Sequence, residues 1–145
     1  DAQARAWARS ASAEMHSAFA TLRQQCSFNL GLRVKLHEQG EALRKDVARI
    51  DELWVEGLSR FGGPFLGGPS FTAVDAFFAP IQFRVQTYGL SLSAAASGYS
   101  KMMLELEPMR RWYEQGLLEN FRDPEHDEVV TKFGDILQDL RVRAG

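Results

Sequence analysis

The run from Thr72 to Tyr88 constrains this chain more than any other part of it. Phe77, Phe78, Ala79, Ile81, Phe83 and Val85 leave only Gln82, Arg84 and Gln86 as polar interruptions. A helix built from it is apolar on nearly every side and belongs at the centre of a bundle, enclosed by other elements. Its start is well marked. Gly62 to Ser70 holds four glycines and two prolines and can sustain neither helix nor paired strand, so it reads as a tight loop. Thr72-Ala73-Val74-Asp75 then has the spacing of a capping box, in which Thr72 accepts from an amide one turn on and Asp75 reaches back. Asp75 stands where Glu or Gln is commoner, and Phe71 occupies the position that often packs on the first turn. Pro80 lies inside the helix and predicts a kink.

What encloses that helix can be read from periodicity. Ala4, Trp7, Ala8, Ala11, Met15, Ala18, Phe19 and Leu22 recur at steps of three and four and predict a first helix from about 2 to about 24. Gln25 to Gly40 shows no sustained period and reads as an irregular connection or a loosely helical continuation. Leu43, Val47, Ile50, Trp54, Leu58 and Phe61 predict a second helix, closed by Gly62-Gly63, where a C-terminus favours a residue free to take positive φ. Ser93 to about Leu106 reads as a further helix, with Tyr99, Met102, Met103 and Leu106 inward. Pro108 suits the first turn of the next, which carries Met109, Trp112, Tyr113 and Leu117. A last helix begins near Pro124, with Val129, Val130, Phe133, Ile136, Leu137 and Leu140 on one stripe and Arg141 and Arg143 at its end. No period-two strand pattern appears anywhere, so the expected fold is all-α, a bundle of about six helices around 72–88.

Composition removes several classes of function. Lys and Arg number 17 against 19 Asp and Glu, a formal net charge of -2, so no long-range positive field gathers nucleic acid or an anionic membrane. The longest apolar runs span a few residues, far below a bilayer crossing, and no signal peptide is present. The single cysteine, Cys26, cannot form an internal disulfide, which fits a reducing cytoplasm. The opening at Asp1 already reads as helix interior, which predicts a segment upstream.

Candidate chemistry is sparse. His16, His37 and His126 are too scattered for a local metal motif, and no metal is expected. The acids around His126 in DPEHDE suit the dipole at a helix start. Gly62 to Gly68 lacks the Lys-Ser/Thr of a phosphate-binding loop and follows a helix, not a strand. Cys26 reads as an inert thiol, since nothing in the sequence promises a nearby cation. Thr72 and Asp75 read as a folding signal, because capping employs both side chains. His16 is the exception, a polar group threaded with Ser12 and Glu14 into a packed stripe.

Three segments, ARAWARSASAEMHSAF, FGGPFLGGPSFTAVDAFFAPIQFRVQTYGL and EPMRRWYEQGL, together resemble the carboxy-terminal helical domain of bacterial glutathione transferases, from Ala2 to about Glu119. The most specific shared motif is the Ser/Thr-x-x-Asp box after a Phe-Leu-Gly-Gly-like loop, matched here by Thr72 and Asp75. The resemblance implies a thioredoxin-like domain before Asp1, which would supply most of the glutathione site and the thiol-activating residue. No catalytic residue is then expected in this chain, and glutathione is the co-substrate of the joined protein. The helical half would hold a small electrophilic acceptor. Glu14-Met15-His16 matches a Glu-Leu-His stretch of beta-like members, making His16 the leading substrate-binding residue, with Met15 and Phe19 as apolar wall. Arg84 aligns with a cleft-facing, often aromatic position, and an arginine there would favour an anionic acceptor. Ser17 stands where beta-like members carry Lys. The resemblance further implies a homodimer in which the first two helices pair with the partner's amino-terminal domain, with Trp7, Arg5 and Arg9 either in that contact or simply covering the bundle. The same helical fold also serves as a non-catalytic docking module, and a stand-alone helical ligand binder is a third possibility.

Overall fold

Helix signals at the chain level translate into seven helices and one small sheet in the computed structural model, which describes residues 1–142. The helices are α1 (Ala2–Ser17), α2 (Ala20–Gln25), α3 (Glu41–Phe61), α4 (Ala73–Tyr88), α5 (Ala94–Glu105), α6 (Glu107–Leu118) and α7 (Pro124–Phe133). Strands β1 (Leu32–Leu36) and β2 (Gly134–Asp139) pair antiparallel, with Leu32 opposite Asp139 and Leu36 opposite Gly134. The class is therefore mostly helical with a two-stranded sheet, and the all-α expectation is corrected in that respect.

The central position of α4 follows from its composition. It packs against α1, α5 and β1, and Val74, Phe78, Ile81 and Phe83 are each 1% exposed or less. Trp54 of α3 meets Phe78 edge-on at 5.9 Å and Tyr99 of α5 at 5.1 Å. Phe83 points to a second, smaller cluster with Leu30, Ala79 and Met109, where Trp112 lies edge-on to it at 5.1 Å. Gly62 and Gly89 end α3 and α4 at φ of 82° and 58°, values that carry a steric cost for residues with a Cβ.

Three boundaries depart from the periodic reading. The expected first helix breaks at Ala18 and Phe19, where Phe19 takes φ 60° and ψ 41°. That turn drives the Phe19 side chain into the core. It is held from both sides: the Asp46 carboxylate on α3 accepts the Leu22 amide at 2.9 Å, and Arg23 donates to the Met15 carbonyl and, at 3.1 Å, to that of His16. Side chains outside each helix thus cap both new helix ends, one of them, Asp46, distant in sequence. Second, the segment after Cys26 becomes β1, with Leu32 and Val34 buried and Lys35 exposed. Third, the last helix stops at Phe133 and the chain continues as β2, carrying Ile136, Leu137 and Leu140 on or just beyond a strand instead of a helical stripe. A register shift between Arg33 and Val34 leaves Leu137 without an opposite residue, a bulge that twists the strand. Arg143, assigned to the end of that helix, lies outside the described residues.

Candidate functional site

The Asp75 carboxylate organises the loop that precedes α4. One of its oxygens accepts the Leu66 amide at 3.0 Å and the Tyr99 hydroxyl at 2.9 Å; the other accepts the Thr72 amide at 2.9 Å and the Thr72 hydroxyl at 3.1 Å. Asp75 is fully buried, and four donors satisfy its two oxygens, which a buried carboxylate requires. Burial, and then the neighbouring Asp75 charge, push the Tyr99 phenol far above its ordinary range, so it remains a donor. Beyond Leu66 the chain crosses α3 at Gly57, where an added Cβ would lie 2.7 Å from the Leu66 carbonyl and 2.5 Å from the Trp7 ring. The absence of a side chain there brings α1, α3 and the loop together.

This packing leaves a groove of about 720 Å³ between α1 and the first half of α4. Ala4 and Ala8 of α1 and Val74 of α4 give it an apolar lining, and Phe77, 45% exposed, stands at its edge. Arg5, Arg9, Ser12 and His16 line the α1 side. They follow one another at i, i+4, i+7 and i+11, a single stripe of about 16 Å along a helix.

The residues singled out from sequence are not all brought to this groove. His16 lines it and is exposed. Met15 and Phe19, expected beside it as wall, are 7% and 4% exposed and face the main core; the helical step from 15 to 16 turns one inward and the other out. Arg84 lies elsewhere on α4. Its Nε donates to the Cys26 carbonyl at 2.8 Å and its guanidinium sits 5.4 Å from the centre of the Phe28 ring. Burial lowers its pKa from the ordinary arginine value. It fastens the segment between α2 and β1 and does not line the groove. Thr72 and Asp75 form the capping box as read. Val74 and Phe77 were not anticipated as groove residues. Their only signal was an aromatic on the outer side of an otherwise enclosed helix.

Other reactive groups are accounted for structurally. Burial pushes the Cys26 thiol up to about 12, an effect that the Arg84 charge only partly offsets, so the thiolate is scarce at neutral pH. His126 and Asp123 pair at 2.7 Å, and Asp123 also accepts the His126 amide at 3.3 Å. That amide bond, followed by the ring contact, holds Asp123 below its ordinary value, as a helix cap should. His37 pairs with Asp135 at 3.2 Å across the sheet. Among the described residues no group of three or more His, Cys, Asp or Glu is placed to hold a metal ion, and no helix is long and apolar enough to cross a membrane.

A second depression, also of about 720 Å³, lies between α6 and α7 beside Phe28, Trp112 and Phe121. Its cations are already engaged. Arg141 pairs with Asp127 at 2.9 Å and Asp139 at 2.7 Å, and Arg122 donates to the carbonyls of Glu119, Phe121 and Val142. The groove between α1 and α4 is the better candidate, because its polar groups remain available. Comparison with family models, curated proteins and solved structures gives no match to this chain.

Proposed function

We propose that this chain is the carboxy-terminal, acceptor-binding half of a glutathione transferase that conjugates or reduces electrophilic substrates. The observation that carries the reading is the groove between α1 and α4, with His16 on its wall and its α4 side fixed by the Asp75 box. On this reading a thioredoxin-like domain on the amino-terminal side of Asp1 binds glutathione and lowers the pKa of its thiol. The helical domain receives the electrophile. His16 contacts it directly, Phe77 and Ala73 supply the apolar surface, and Met15 and Phe19 support α1 from behind. Arg84 acts at a distance, as an anchor of the Cys26–Asn29 segment. The joined protein is a cytoplasmic homodimer, and Arg5 and Arg9, offered for that contact by the resemblance, line the acceptor groove instead. Trp7 is only 9% exposed and lies against Phe61, 5.6 Å between ring centres, so its contribution is to the core.

The test is to join the chain to a thioredoxin-like domain bearing a thiol-activating residue and assay thiol transfer to a panel of electrophiles. Transfer is expected, with His16→Ala lowering kcat/KM for the acceptor about tenfold, the loss of roughly 1.4 kcal/mol, and leaving the KM for glutathione unchanged. No affinity for glutathione and no transfer would overturn the reading. A non-catalytic docking module is the second reading, favoured by the exposed Leu118, Phe121, Leu137 and Leu140 at the other end of the molecule. It predicts that the joined protein assembles but transfers no thiol.

A further inference from the structure

Strand β2 is paired on one side only. The sheet has two strands, and every residue from Asp135 to Asp139 is exposed. An antiparallel ladder alternates between residue pairs that exchange both backbone bonds and pairs that turn those groups outward. Two bonds at the ends of this ladder settle which are which: the His37 amide donates to the Phe133 carbonyl and the Leu140 amide to the Gly31 carbonyl, each at 2.9 Å. Counting inward along the register, Lys35 with Asp135 and Arg33 with Gln138 are bonded pairs, whereas Leu36 with Gly134 and Val34 with Ile136 are not. The Gly134 amide returns to the Val130 carbonyl as the end of α7. The Gly134 carbonyl and both backbone groups of Ile136 are thus directed away from β1. Lysine and proline, which commonly guard such an edge, are absent from β2; its charges are Asp135 and Asp139.

We propose that the outer edge of β2 takes a strand from a partner protein, added antiparallel, in which apolar residues alternate with lysine or arginine. β1 shows the chemistry required. Residues opposite each other share a face of the sheet, so the buried Val34 lies beside Ile136, and Lys35 lies beside Asp135 on the side toward water. A strand on the outer edge meets the same two rows. Ile136, 40% exposed, offers it apolar surface, and the exposed Asp135 carboxylate offers it charge. A residue opposite Ile136 would exchange two backbone bonds with it, and the residue two further along would donate to the Gly134 carbonyl. A second copy of β2 fits less well. With Ile136 opposite itself, Gln138 falls against Gly134 with its amide already turned to Arg33, and Asp135 meets Leu137 instead of a base. The inference does not depend on the transferase reading, since strand addition here leaves the groove between α1 and α4 untouched.

A short synthetic peptide alternating valine and lysine, blocked at both ends and fluorescently labelled, tests this by anisotropy with the whole chain. Saturable binding is expected, about tenfold tighter than for the same peptide with glutamate in place of lysine. N-methylation separates strand addition from loose attraction between a cation and an acidic surface. With valine opposite Ile136, the valine amides face β2 and the lysine amides face away. Methylating the valine amides should weaken binding about tenfold or more, and methylating the lysine amides less than about twofold. On the chain, Ile136→Pro removes the outward amide and no bond to β1, and should weaken the peptide about fivefold. If that variant alters the circular dichroism spectrum, the methylated peptides carry the test alone. Asp135→Asn should narrow the preference for lysine over glutamate. Absence of saturable binding, equal affinity for the lysine and glutamate peptides, or equal losses from the two methylations would each overturn the proposal. So would a dimer in sedimentation that Ile136→Pro dissolves, because a second copy would then occupy the edge.

Discussion

The two ends of this molecule are held by opposite means. At one, a buried carboxylate gathers four donors from the loop, the start of α4 and α5. At the other, β1 and β2 are joined by backbone pairing, and the ion pair beside them is in water: His37 and Asp135 are 50% and 72% exposed. The first end keeps the Leu66 and Tyr99 contacts of Asp75 dry. The second leaves Leu137 at 63% and Phe121 at 73% exposed. Dry polar contacts are costly to break because the stranded partner loses both protein and water, whereas exposed ones are replaced by solvent at little cost. Substitutions of similar kind should therefore have very different effects at the two ends.

The largest effect is expected at Asp75. Asp75→Ala strands the Leu66 amide and the Tyr99 hydroxyl in the interior and should cost about 2–6 kcal/mol, at about 1–3 for each unsatisfied donor. Urea denaturation would register this as a fall in midpoint, and an effect below about 1 kcal/mol would remove the contrast between the ends. Gly57→Ala comes next. A Cβ there meets the Leu66 carbonyl and the Trp7 ring, neither of which yields easily, so the cost should be about 1–3 kcal/mol, with a red-shifted tryptophan emission as Trp7 is displaced from the core.

Between the two ends sits Cys26, and there the variable is pH. Its thiol in the folded chain is pushed up to about 12 by burial, while an unfolded cysteine titrates near 8.5. Above that lower value the unfolded state releases a proton that the folded state keeps. Stability is therefore complete below about pH 8.5 and declines as pH rises toward 12, by about 1.4 kcal/mol per unit. Tyr88, whose phenol is likewise raised chiefly by burial, adds to the decline above pH 10. Cys26→Ala should flatten the curve between pH 9 and 10, visible as a smaller fall in thermal midpoint. A curve identical to that of the parent would show the thiol to be hydrated. The smallest effect belongs to the sheet. His37→Ala should change stability by less than about 0.5 kcal/mol, and a larger loss would mean that the exposed pair helps to hold the strands.

The same contrast decides what could be read in advance. α3, α4 and the Thr72–Asp75 box are local: periodicity, a glycine stop and a four-residue spacing lie within the segments themselves. The break at Ala18 and Phe19 is not local, because its stabilising groups are Asp46 and the packing around Phe19. Leu32, Val34 and Leu36 do alternate with Arg33 and Lys35, but a strand needs a partner, and that partner lies at the far end of the sequence. The stripe Val130, Phe133, Leu137 and Leu140 fits a helix as well as the structure observed, with Gly134 as the only hint of a stop. In the groove, His16 was legible as an isolated polar group. The wall formed by Phe77 was not, because it depends on which side of α4 is covered. Met15, Phe19 and Arg84 had suitable chemistry but point elsewhere.

The pairing of β1 with β2 also sets an order of events. The ring of His37 and the carboxylate of Asp135 meet across 98 residues of sequence, and contacts of such separation form late because a long loop must close first. During synthesis β1 leaves the ribosome long before β2 has been translated. Residues Leu32 to Leu36 must wait, with their ladder groups unpaired, while α3 and α4 assemble beside them. The sheet is thus the closing step of this fold, and a chain released before Gly134 would carry an open strand edge on an otherwise finished helical core.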